Sequence, residues 1–100
     1  MTSAVLYRWT IKKGREAEFE TAWSEATRLI HERCGSYGAN LQVDPNGDYV
    51  SYAMWPSEDA RQACGEKNNW AEESSFNAMR ACVETRHPEQ VLDVKSRMIV

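Results

Sequence analysis

A chain of 100 residues has the length of one domain, residues 1–100, since chains divide only when a core outgrows a few hundred residues. With Lys+Arg 12 against Asp+Glu 15 and a formal net charge of −3, it lacks the basic excess needed to neutralise phosphates, so no nucleic acid and no membrane surface is expected as a partner. At 42% apolar residues with four tryptophans, so short an α+β chain is expected to complete its core by pairing with a second copy.

The chain opens with Val5, Tyr7, Trp9 and Ile11 alternating against Leu6, Arg8 and Thr10, a period of two that predicts a strand over 4–11. The apolar run before Arg8 is too short for a signal segment or a membrane span. After Lys12-Lys13-Gly14 the period changes. Phe19, Trp23, Ala26 and Ile30 fall on one helical face, with Glu16 and Glu18 in the first turn, His31 and Arg33 in the last, and Gly35 just beyond. Tyr37, Ala39, Leu41 and Val43 alternate again, Pro45-Asn46-Gly47-Asp48 supplies a turn, and Tyr49 to Trp55 returns as the third strand of a hairpin. Ser57 is placed to cap a second helix starting at about Glu58. Gly65 and Lys67-Asn68-Asn69 interrupt it. The spacing of Phe76, Met79 and Val83 then predicts a helix over 70–84, Pro88 ends it, and alternation from Val91 to Val100 predicts the fourth strand.

The order βαββαβ with right-handed crossovers is a ferredoxin-like antiparallel sheet with its helices on one face. Strand three carries Val50, Tyr52 and Met54 on one face and Tyr49, Ser51, Ala53 and Trp55 on the other, so neither face is simply polar and the outer one is expected to lie against another sheet. Three cysteines, Cys34, Cys64 and Cys82, have no C-x-x-C spacing and an odd number; they are expected as small buried thiols in a reducing cytoplasm.

Strand one ending in Lys12-Lys13-Gly14, the Gly35-Ser36-Tyr37-Gly38 entry to strand two, and the run Tyr52-Ala53-Met54-Trp55-Pro56-Ser57-Glu58-Asp59-Ala60 resemble the antibiotic biosynthesis monooxygenase domain over about residues 5–100. The resemblance implies a homodimer joined through its sheets into a dimeric α+β barrel, with a cavity between sheet and helices in each subunit. It also implies oxygenation of a small aromatic or phenolic compound by O₂ with no cofactor: no metal, flavin or haem. Triplet O₂ takes an electron from a carbanion or phenolate but reacts poorly with neutral closed-shell molecules. The cavity therefore needs a donor for the developing oxyanion, a proton acceptor and a dry aromatic wall.

The residues expected to carry this chemistry are Trp55, Ser51 and Tyr7, with Trp9, Trp23 and Tyr52 around the ligand. Trp55 matches the family's strand-three tryptophan, whereas Ser51 stands where its oxygenases carry an asparagine. Each aromatic also reads as core: Trp55 as an anchor at a strand-to-helix corner, Trp23 as part of an unbroken helical stripe. The alternative function is a non-catalytic dimeric small-ligand-binding or stress-related module on the same fold. Haem degradation is disfavoured, because Tyr7 replaces that branch's strand-one asparagine and no histidine lies between His31 and His87. His31 and Cys34 alone fall short of a metal pattern. An RNA-recognition domain shares the topology but needs basic residues on strand three, and none stands between Asp48 and Trp55.

Overall fold

The computed structural model describes residues 2–98. Along the chain it contains β1 (Ser3–Ile11), α1 (Glu16–Cys34), β2 (Gly38–Val43), β3 (Tyr49–Trp55), α2 (Glu58–Lys67), a single 3-10 turn (Trp70–Glu72), α3 (Ser74–Ala81), β4 (Val83–Arg86) and β5 (Gln90–Asp93). The antiparallel sheet runs β2-β3-β1-β4, and β5 also pairs with β1. This is the ferredoxin-like arrangement the element order calls for.

Helix α1 stops at Gly35, whose φ of 70° is left-handed and suits a residue without Cβ; its N–H donates to the carbonyl of His31. Helix α2 starts where Ser57 Oγ accepts from the Ala60 N–H at 3.0 Å. In the hairpin, the Asp44 carboxylate accepts from the N–H groups of Asn46 and Asp48 at 2.9 and 3.0 Å. Strand register sets the faces: Trp9 lies opposite Tyr49, Tyr7 opposite Ser51, and Ser3 opposite Trp55. The same face meets α1. Trp9 and Tyr49 pack edge-on against Phe19, with ring centroids 5.3 and 5.2 Å apart, and a second cluster gathers Val5, Trp55 and Cys64.

Four expectations need correction. Gly65 lies inside α2 and does not interrupt it; the break falls after Lys67. The helix predicted over 70–84 is a 3-10 turn followed by α3, which ends at Ala81, and Val83 belongs to β4. Val83-Glu84-Thr85-Arg86 reads equally well as a strand, and the Lys12 N–H to Cys82 carbonyl bond (2.8 Å) draws the chain onto the sheet edge there. The last strand is divided. β4 pairs with residues 9–11 of β1 and β5 with residues 3–6, separated by His87-Pro88-Glu89. The chain leaves the sheet after Asp93, and the Val100 end of the predicted strand lies outside the described residues. Finally, two of the expected thiols are paired: Cys34, the last residue of α1, is bridged to Cys64 of α2, while Cys82 is free and buried. Linear spacing did not reveal that the end of α1 lies beside α2.

Candidate active site between sheet and helices

A cavity of about 490 Å³ lies between the sheet and the helices. Its floor is the inward face of β1 and β3, Tyr7 and Trp9 alongside Ser51 and Trp55; α1 contributes Trp23 and Ile30, and α3 contributes Phe76 and Met79. The alternation of the strands produces this floor directly, because Tyr7, Trp9, Ser51 and Trp55 all occupy the face turned to the helices. The wall is mainly apolar and aromatic. Its charged members among the described residues, Arg80, Glu84 and Arg86, come from the end of α3 and from β4.

Five of the six residues singled out from the sequence meet here: Tyr7, Trp9, Trp23, Ser51 and Trp55. Tyr52 does not. It neighbours Ser51 on the strand, so it points to the outer face, where it pairs with Leu6 and Asn40. Trp23 is half-buried and forms wall as well as core. Trp55, 4% exposed, does both as well: it packs on Val5 and Cys64 and still borders the cavity.

The two floor hydroxyls differ in reach. Ser51 is 1% exposed and recessed between its neighbours, while Tyr7 is half-buried and stacks on Trp9 with ring centroids 5.6 Å apart. Burial pushes the Tyr7 phenol above its ordinary value, Arg61 opposes the rise and Glu89 adds to it. Tyr7 therefore holds its proton at neutral pH and is a donor. Arg61 is itself fixed by Glu58, whose carboxylate accepts from Nη2 at 2.7 Å, and it reaches Glu89 at 3.4 Å. That hydrogen bond with Arg61 is also the main cause holding the Glu58 carboxyl below its usual range.

At the charged end of the cavity, the sequence left open whether Arg80 reaches the pocket and did not point to Glu84 or Arg86. Arg80 donates through Nη2 to the Trp70 carbonyl at 3.0 Å and to Asn77 Oδ1 at 2.9 Å, which holds its guanidinium near the wall. Glu84 and Arg86 both line the cavity from β4. Arg8, by contrast, belongs elsewhere: it pairs with Asp44 and Asp48.

No family model matches the sequence, and no curated protein matches it. Solved structures do. A "putative antibiotic biosynthesis monooxygenase" from Caulobacter crescentus superposes with a TM-score of 0.78 at 17% identity, covering 95% of this chain and 91% of that one. SnoaB, a cofactor-independent oxygenase from Streptomyces nogalater, gives 0.73 at 19% identity over 97% of this chain and 96% of its own. This is the antibiotic biosynthesis monooxygenase fold. A NIPSNAP family protein from Agrobacterium tumefaciens also matches, with a TM-score of 0.67 at 16% identity over 91% of this chain and 83% of that one, so the fold extends beyond proteins named as oxygenases.

Proposed function

We propose that this chain is a cofactor-independent monooxygenase-like protein acting on a small aromatic or phenolic compound held between sheet and helices. The cavity itself carries the reading. Its volume is in the range of small-molecule sites, its walls carry three tryptophans, and a protonated phenol belongs to its floor. In this reading Tyr7 donates to the oxyanion that develops as the bound compound loses its proton. Glu84, the wall's only carboxylate among the described residues, takes that proton. The substrate anion then reduces O₂ and combines with it; one oxygen atom enters the product as a carbonyl and the other leaves as water. Trp55, Trp9 and Trp23 keep bulk water away from the anion.

The recessed position of Ser51 favours a second reading, a dimeric small-ligand-binding module without turnover. Oxygen uptake against a panel of anthrones, quinols and flavonoid-like phenols separates the two. The enzyme reading expects uptake with at least one compound, reduced by about a hundredfold in Tyr7→Phe at unchanged melting temperature. Binding without uptake across the panel establishes the module reading instead.

The proposal includes a homodimer formed through the outer sheet face, where Leu6, Val50, Tyr52 and Met54 are only half-buried and Leu92 is 40% exposed. Sedimentation as a monomer at micromolar concentration refutes it. It also places the protein in the cytoplasm; no helix among the described residues is long and apolar enough to cross a membrane. Recovery of the native protein in a membrane or secreted fraction overturns that placement.

A further inference from the structure

Helix α2 has ten residues, and only Cys64 among them is fully buried. Its packing against the domain therefore centres on one side chain, which is covalently joined to the last residue of α1. Both sulfur-bearing residues pack into the cluster containing Val5, Trp55, Ile30 and Tyr7. The last three of these border the cavity. Two residues beyond Cys34, Ser36 borders it as well. The bridge thus lies directly behind the cavity's inner wall. Asn68, just past the end of α2, donates through Nδ2 to the Cys64 carbonyl at 3.0 Å and stands 3.5 Å from Cys34 Sγ, closing the other side of the bridge.

We propose that the Cys34–Cys64 bridge is a redox-operated latch: closed, it holds the wall of Trp55 and Ile30 in its binding shape, and open, it frees α2 and weakens ligand binding. The inference rests on the cavity being the ligand site. A dithiol opens the latch by exchange. Its thiolate attacks one sulfur of the bridge, and resolution of the mixed disulfide leaves two cysteine thiols and an oxidised dithiol, two electrons having passed to the protein. Glutathione disulfide closes it in reverse, releasing two glutathione thiols. Cys34 is half-buried and reachable, whereas the third cysteine, Cys82, is sealed in the other core cluster and takes no part. Bridges in reducing compartments are commonly transient or sensing, which is the behaviour assigned here. Linkage makes the effect reciprocal: a ligand that binds the closed form better must also make the bridge harder to reduce, by the same factor.

The test compares oxidised, dithiothreitol-reduced and glutathione-disulfide-reoxidised full-length protein, alongside Cys34→Ser/Cys64→Ser and a Cys82→Ala control. Amide hydrogen exchange reads the latch without any ligand. Exchange across residues 58–72 is expected to rise at least about tenfold on reduction while β1 and β3 keep their protection. Tryptophan-fluorescence titration with 1-naphthol is expected to show affinity falling about tenfold on reduction and returning on reoxidation. The double variant is expected to behave as reduced protein and ignore dithiothreitol, and Cys82→Ala to behave as the parent. Equal exchange in the two states overturns the proposal, as does an affinity unchanged within about twofold while α2 loosens. If 1-naphthol binds in neither state, the cavity reading fails on its own evidence, and with it the coupling, even where exchange shows α2 released.

Discussion

Tyr49 shows how a single hydroxyl ties the sheet to the long helix. Its phenol donates to Glu20 Oε2 at 2.5 Å, and that bond, helped by burial, pushes its ionisation up to about 12. The folded pKa lies above the unfolded value of about 10, so the contribution is complete below pH 10 and is lost as pH rises toward 12. Urea unfolding between pH 9 and about 12 should show stability falling through this window, and Tyr49→Phe should flatten that part of the curve. Trp55 poses a different problem because it is both anchor and wall. Trp55→Ala should cost about 3–5 kcal/mol of stability in a denaturant titration, so lost activity in that variant does not isolate a catalytic effect. Tyr7→Phe keeps the ring and its stacking on Trp9 and removes only the donor, which makes it the cleaner probe of chemistry.

At the scale of elements, local signals with a clear physical cause were legible. Ser57 caps α2 as its spacing implied, and Ser57→Ala should lower stability by about 1 kcal/mol while leaving the sheet's hydrogen-exchange protection intact. Strands one to three and helix α1 follow from periodicity, and the floor of the site came with them, since a period of two decides which of Ser51 and Tyr52 faces the helices. What escaped depends on contacts far apart in sequence. Val83 to Arg86 matches either period over so few residues, and its choice is made by partners on β1 rather than by its own composition. The charged wall residues of that strand, Glu84 and Arg86, were lost with it. The bridge is legible only once α1 and α2 are seen side by side, 30 residues apart in sequence. Closing a loop of that length is worth roughly 3–4 kcal/mol in the chain-entropy account, and a lower melting temperature for Cys34→Ser/Cys64→Ser at high pH and in air is the expected outcome.

For the whole molecule, the sheet divides the labour: one face holds the cavity and the other remains half-covered. A charge placed on the outer face, as in Tyr52→Lys, should shift sedimentation of the proposed dimer toward monomer and leave the cavity-facing residues undisturbed, because Tyr52 belongs to the opposite side from Ser51. In the C-terminal segment, Arg97 lies over the Tyr37 ring at 5.6 Å, and Met98 is 83% exposed. The division of the last strand also governs where this chain tolerates extra length. Between β4 and β5 the His87 N–H still donates to the Arg8 carbonyl at 3.0 Å, but the ladder on β1 is interrupted at Pro88-Glu89, so two glycines inserted after Pro88 fall in a connection and should leave both flanking registers unchanged. One residue inserted between Ser51 and Tyr52 instead turns every later position of β3 over and carries Trp55 out of the cavity. The interruption is therefore a permissive site for a reporter or epitope, as the middle of β3 is not.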